Sequence, residues 1–231
     1  MPRSVVPDWI RTYRPPSGWT NIFALVPSND HLYATETLFG DWDGRTLLLA
    51  KDAAPTHVIR ALRDKGEVRP WRHAERELGD QGGWKTNEWL ATAVAMLPGG
   101  KLYGSATANL LYDDPNWSRK LPGFYSEPLH DYLKRVLAWL LESMSKIEIV
   151  ACLGEEAWFL TNVVLGWQDA AREFTDYRDS CRPTIGTCRG KPITAFALYH
   201  PAARVSDEAK DRGWSTMAKS CRELDSRGIG P

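Results

Sequence analysis

Two apolar runs in this chain each stop abruptly at ionisable residues followed by small residues and a proline. Thr46-Leu47-Leu48-Leu49-Ala50 runs into Lys51-Asp52-Ala53-Ala54-Pro55, and Ile193-Thr194-Ala195-Phe196-Ala197-Leu198-Tyr199 runs into His200-Pro201-Ala202-Ala203. An apolar run without polar alternation is the pattern of a strand covered on both faces. Such strands belong to open α/β sheets, which bind ligands just beyond the carboxyl ends of their strands. Asp52 and His200, delivered to that edge from two strands, would make a catalytic pair.

Between and around the two runs, helix and strand patterns alternate. A helix is predicted from near Thr56 to Asp64 or beyond and another over Thr86–Leu97, stopped by Pro98-Gly99-Gly100. Leu102–Tyr112 reads as a strand with a small-residue centre, and Ile147–Leu153 as the next strand. Glu127–Ser145 has Leu129, Tyr132, Leu133, Val136, Leu137, Leu140, Leu141 and Met144 on one helical face, with Ser126 placed to cap it. Helices over Glu155–Leu165 and Asp207–Leu224 follow the third and fourth strands. Strands alternating with helices predict a three-layer α/β/α fold with a central four-stranded parallel sheet. Right-handed crossovers would bring Asp52, the residues around Asn109, Gly154 and His200 to one rim.

The chain has 231 residues, 43% of them apolar, which suits one domain with a substantial core. Residues 1–45, rich in Pro, Asn, Asp and Trp, read as an N-terminal layer on a core spanning 46–224. The start has no apolar stretch of signal-peptide type. No run reaches the ~18 apolar residues of a membrane span. The expectation is a soluble, monomeric, cytoplasmic protein without membrane contact.

Net charge is zero, but its distribution is uneven. Arg60, Arg63, Lys65, Arg69 and Arg72 follow the first strand-end motif, and Arg204, Lys210, Arg212, Lys219 and Arg222 follow the second. Ser28–Asp43 carries Asp30, Glu36, Asp41 and Asp43 and no Lys or Arg. This suits either a polyanion lying across one face or ordinary solvated helix faces. The four cysteines, Cys152, Cys181, Cys188 and Cys221, show no C-x-x-C pairing and read as free thiols. No metal and no cofactor are expected.

Each candidate residue has two readings. Asp52 is placed either to act on a ligand or to cap the following helix. His200, before a proline that forces an extended exit, is either a site residue or a buried histidine held by backbone. Asn109, among small residues in Ser105-Ala106-Thr107-Ala108-Asn109, either pins a turn or reads a ligand edge. Arg204 and Val205 form a functional loop or a solvated one, with Ser206 able to cap the final helix.

Together these residues resemble the uracil-DNA glycosylase superfamily over roughly residues 46–215. Lys51-Asp52 is similar to the Gln-Asp of the family's first motif, with Ala50 replacing its leading Gly. His200-Pro201-Ala202-Ala203 is similar to the second motif, usually His-Pro-Ser. Ile149-Val150-Ala151-Cys152-Leu153-Gly154-Glu155-Glu156-Ala157-Trp158 looks like the family's third strand and following helix. The resemblance implies a base-excision repair enzyme that flips uracil from DNA, at a cost of a few kcal/mol, and hydrolyses its N-glycosidic bond.

The resemblance implies roles as well. Asp52 would orient water and stabilise the cationic sugar. His200 would hydrogen-bond uracil O2 as charge grows on the leaving base. Asn109 would read the uracil edge, and Trp71 would stack on the base, with Trp84 and Trp89 as competitors. Lys51 and Ala53 would line the substrate beside Asp52. Arg204, Val205 and Ser206 would enter the DNA. Ala53-Ala54 stand where the family's Asp-bearing subclass has Pro-Tyr, so its screen against thymine is missing or supplied elsewhere. The early C-x-x-C of the iron–sulfur subclasses is absent, which points to a bacterial branch without the cluster.

Two other classes compete. A non-catalytic DNA- or damage-binding protein on the same fold would need neither Asp52 nor His200. An unrelated α/β hydrolase of small nucleosides or esters would lack salt-dependent DNA affinity, and no Gly-x-Ser-x-Gly elbow is present.

Overall fold

The computed structural model describes residues 6–25, 39–51, 56–64, 95–97, 99–114, 121–167, 169, 173–200, 203 and 205–226. In chain order these form α1 (Asp8–Arg11), β1 (Trp19–Asn21), α2 (Ile22–Leu25), β2 (Phe39–Gly40), β3 (Thr46–Ala50), α3 (Thr56–Asp64), β4 (Lys101–Ser105) and β5 (Leu110–Tyr112). There follow α4 (Leu129–Ser143), β6 (Ile149–Leu153), α5 (Glu155–Val164), α6 (Phe174–Ser180), β7 (Thr184–Cys188), β8 (Lys191–Leu198) and α7 (Asp207–Ser226).

The fold is α/β, with a mostly parallel sheet flanked by helices. Its order is β2-β4-β3-β6-β8-β7. β4, β3, β6 and β8 run parallel, while β2 and β7 pair antiparallel at the two edges. The expected four-stranded sheet is therefore too small. β2 is a two-residue strand, and β7 carries the alternating burial of a half-covered edge rather than a continuous apolar run. β7 turns into β8 through Arg189 and Gly190, both at positive φ (46° and 81°). Two such residues make the tight turn whose twist suits a hairpin.

Alternation along the parallel strands explains the two cores. Leu47, Leu49, Val150, Cys152, Ala195 and Ala197 face α4 and α5. Leu48, Ile149, Ala151, Leu153, Phe196 and Leu198 face Trp214, Met217, Ala218 and Cys221 of α7. Both faces are thus buried, which is why these strands carry no polar alternation. Of the four free cysteines, Cys152 and Cys188 lie in the first core and Cys221 in the second. No helix among the described residues is long and apolar enough to cross a membrane.

Two local expectations need correction. Leu102–Tyr112 is two strands: β4 joins the main sheet, whereas β5 leaves it and pairs antiparallel with β1. The chain reverses at Ala106–Asn109, with Ala108 at φ 53°. Ser126 does not cap α4; Pro128 occupies that position, and no side chain caps the helix.

Candidate functional site

The strand registers create a level row. Ser105, Ala50, Leu153 and Leu198, the last residues of β4, β3, β6 and β8, lie opposite one another across the sheet. The residues that follow β3, β6 and β8 therefore emerge side by side at one edge. At the strand spacing of a sheet, β3 and β8 are about 10 Å apart. Gly154 ends β6 at φ 125°, a backbone conformation that disfavours side chains, and starts α5.

Lys51, the residue after β3, extends its Nζ to 3.2 Å from Glu156 Oε1, and the two side chains are 19% and 13% exposed. Glu156 lies in the first turn of α5, where the helix dipole favours a carboxylate. His200, two residues past β8, is half-buried. Burial pushes its pKa below the ordinary value of 6.5, and the charges of Lys51 and Lys210 push the same way. Its imidazole is therefore neutral at pH 7, with one nitrogen to donate and one to accept. Lys210, buried on α7, has Asp207 3.7 Å away.

Tyr199 fixes the strand end that delivers His200. Its hydroxyl donates to Asp179 Oδ1 at 3.0 Å, and Arg178 Nε donates to the same oxygen at 2.8 Å. The Arg178 guanidinium also lies 4.3 Å over the Tyr199 ring. The hydrogen bond from Arg178 holds the Asp179 carboxyl below the usual carboxylate range.

Asn109 belongs elsewhere, which corrects its expected role as a base reader. It is 4% exposed. Its Nδ2 donates to Asn21 Oδ1 at 2.9 Å and to the Ile10 carbonyl at 3.3 Å, and its Oδ1 accepts from the Tyr132 hydroxyl at 2.6 Å. Both amide hydrogens are engaged inside the protein, leaving no donor for a uracil carbonyl. Asn109 pins the β4–β5 turn to the N-terminal segment.

Ser206 is a helix cap: its Oγ accepts the Ala209 N–H at 3.3 Å, at the start of α7. Val205 is exposed in the loop after His200, where the Ala203 N–H turns back to the His200 carbonyl at 2.8 Å. Asp52, Ala53, Trp71 and Arg204 lie outside the described residues. The segment 52–55 is nevertheless bounded by two anchored ends. Lys51 holds Glu156, and the Thr56 hydroxyl donates to Asp113 Oδ1 at 2.6 Å.

The site also contains residues that sequence reasoning passed over. Arg178, Asp179 and the exposed Tyr125 have no local motif, while Glu156 lies in the third-strand segment and Lys210 in the basic stretch after His200 without a role that the sequence could give them; the tertiary structure brings them near the strand ends. Among models of known protein families none matches this chain, and no curated protein matches it.

Proposed function

We propose that this protein is a monofunctional uracil-DNA glycosylase acting on cytoplasmic DNA as a monomer, without cofactor, on a three-layer α/β/α fold with four parallel central strands. The observation that carries this reading is the adjacency of β3, β6 and β8. The three segments that resemble the glycosylase motifs follow or span exactly those neighbouring strands, so their residues can act on one ligand.

The chemistry follows from the site. Glycosidic cleavage leaves positive charge on the sugar and negative charge on the base. Asp52, next after Lys51, would stabilise the first and orient the attacking water. His200, neutral at pH 7, would donate to uracil O2, where an aimed donor contributes a few kcal/mol. Burial first, and then the charge of Lys51, itself held by Glu156, disfavour protonation of His200. With the Asn109 donors engaged, Asn87 and Asn116, which also lie between the two motifs in the sequence but outside the described residues, become the candidates for reading the uracil edge.

The test is excision from an oligonucleotide carrying one uracil, with EDTA present. An abasic product that breaks only on alkaline heating is expected. Strand cleavage without heating would add a lyase step. DNA binding without excision would favour a non-catalytic damage-binding protein, and neither binding nor excision would end both readings.

A further inference from the structure

We propose that Tyr125 is a stacking platform for an unpaired nucleobase next to the excised nucleotide, making single-stranded uracil-containing DNA the preferred substrate; this rests on the glycosylase reading.

Tyr125 lies on the same edge as the strand ends. α4 finishes at Ser143, shortly before β6 begins, so the start of α4 and the residues before it lie at the carboxyl end of β6. The ring contacts agree. Tyr125 meets Phe159 of α5 at 4.7 Å between centroids and 88° between planes, and Phe124 at 5.0 Å and 79°. Phe159 lies one turn beyond Glu155 and Glu156, whose charges, after burial, raise the Tyr125 phenol pKa. Glu156 is the partner of Lys51.

The side chain is nonetheless 50% exposed. Phe124 and Phe159 meet it nearly at right angles, so neither lies flat against its plane. They hold the ring in place as a rigid aromatic surface. The other large exposed apolar side chains among the described residues divide cleanly. Trp167 and Ile185 lie together at β7, where the Trp167 indole N–H donates to the Ile185 carbonyl at 2.7 Å and blunts the sheet edge. Val205 follows His200, at the strand ends that Tyr125 also borders.

The neighbouring carboxylates select the ligand. Glu156 is paired with Lys51, and Glu155 beside it offers no attraction to phosphate, so the ring is suited to the neutral face of a base rather than to the backbone. Base–aromatic stacking is sequence-tolerant and adds binding without charge. A base flanking the excised nucleotide in a duplex is already paired and stacked; in a single strand it is free to reach the ring.

The experiment compares KM and kcat for uracil excision from one oligonucleotide, single-stranded and as a U·A duplex, using wild type, Tyr125→Leu and Tyr125→Trp. Wild type is expected to have the lower KM on the single strand. Tyr125→Leu should raise that KM about ten-fold, with kcat and the duplex KM little changed, and Tyr125→Trp should restore it. A wild-type preference for duplex overturns the proposal, as does an unchanged single-strand KM in Tyr125→Leu or equal loss in both variants. If wild type excises nothing, glycosylase function and the substrate preference fall together. Fluorescence anisotropy with a uracil-free single strand then judges the platform alone: weaker binding by Tyr125→Leu, restored by Tyr125→Trp, supports it, and equal binding removes it.

Discussion

The Asn109 amide donates to the Asn21 carboxamide oxygen across 2.9 Å, tying the turn after β4 to the segment that carries β1. The Asn21 amide in turn donates to the carbonyls of Ile10 and Tyr13 at 3.1 and 2.9 Å. Tyr132 of α4 closes the group with its bond to Asn109 and a stacked contact, 3.5 Å between centroids, with Tyr13. Four separated stretches of chain thus meet at one buried polar cluster.

Asn109→Ala should therefore act on stability. It leaves the Tyr132 hydroxyl with only the Ile10 carbonyl at 3.5 Å and the Asn21 oxygen with only the Phe23 N–H at 3.1 Å, a loss of about 1–2 kcal/mol in urea unfolding. Tyr132→Phe should cost about 1 kcal/mol. A stable Asn109→Ala protein that no longer distinguishes uracil from cytosine would return Asn109 to the base.

Lys51 and Glu156 should behave as a coupled pair. Either Lys51→Met or Glu156→Gln leaves a mostly buried partner without its counter-charge, at about 1–3 kcal/mol, less than for full burial. The double variant should lose less than the sum of the two. Strict additivity in a double-mutant cycle would mean that the pair contributes nothing.

His200 sets a pH dependence with a definite sign. Its folded pKa is lowered from 6.5, so below about that pH the unfolded chain binds the proton more readily. Stability should fall as pH falls below about 6.5 and level off above it. His200→Gln should flatten this difference in melting temperature between about pH 5 and 8. Lys51→Met removes one of the two cations that depress the His200 pKa and should shrink the slope. His130 has a lowered pKa too, from burial first, so the comparison is wild type against variant. Superimposable profiles would place His200 in an ordinary aqueous environment.

Asp52→Asn should lower single-turnover excision strongly and leave DNA affinity nearly unchanged. Equal loss of both would make Asp52 structural.

Gly186→Ala tests the edge hairpin. A Cβ there would stand 2.5 Å from Leu165 Cβ and 2.6 Å from the Leu165 carbonyl oxygen. Backbone cannot yield cheaply, so the cost should be about 1–3 kcal/mol or more. An unaltered melting temperature would separate β7 from the end of α5.

Much of the frame is legible in the sequence. β3, β6 and β8 announce themselves because burial on both faces removes polar residues from consecutive positions. α4 does so because Leu129, Leu133, Val136, Leu137, Leu140 and Leu141 repeat at helical spacing and are all buried. β7 stayed hidden: Thr184-Ile185-Gly186-Thr187-Cys188 is half-covered, and its glycine is there for a close approach visible only in three dimensions. Leu102–Tyr112 read as one strand because its apolar character runs through a turn that distant groups, the Ala50 carbonyl, Asn21 and Tyr132, hold in place.

The local sequence, then, determined where the doubly covered strands and the long helices form and which residues stand at the ends of those strands, since periodicity and chain stops act between near neighbours. The strand order and the long-range contacts decided which of those residues meet. That is how Asn109 came to serve the fold, Glu156 to hold Lys51, and burial, helped by Lys51 and Lys210, to keep His200 neutral: burial, charge and hydrogen bonding act through space, between groups that have no relation along the chain.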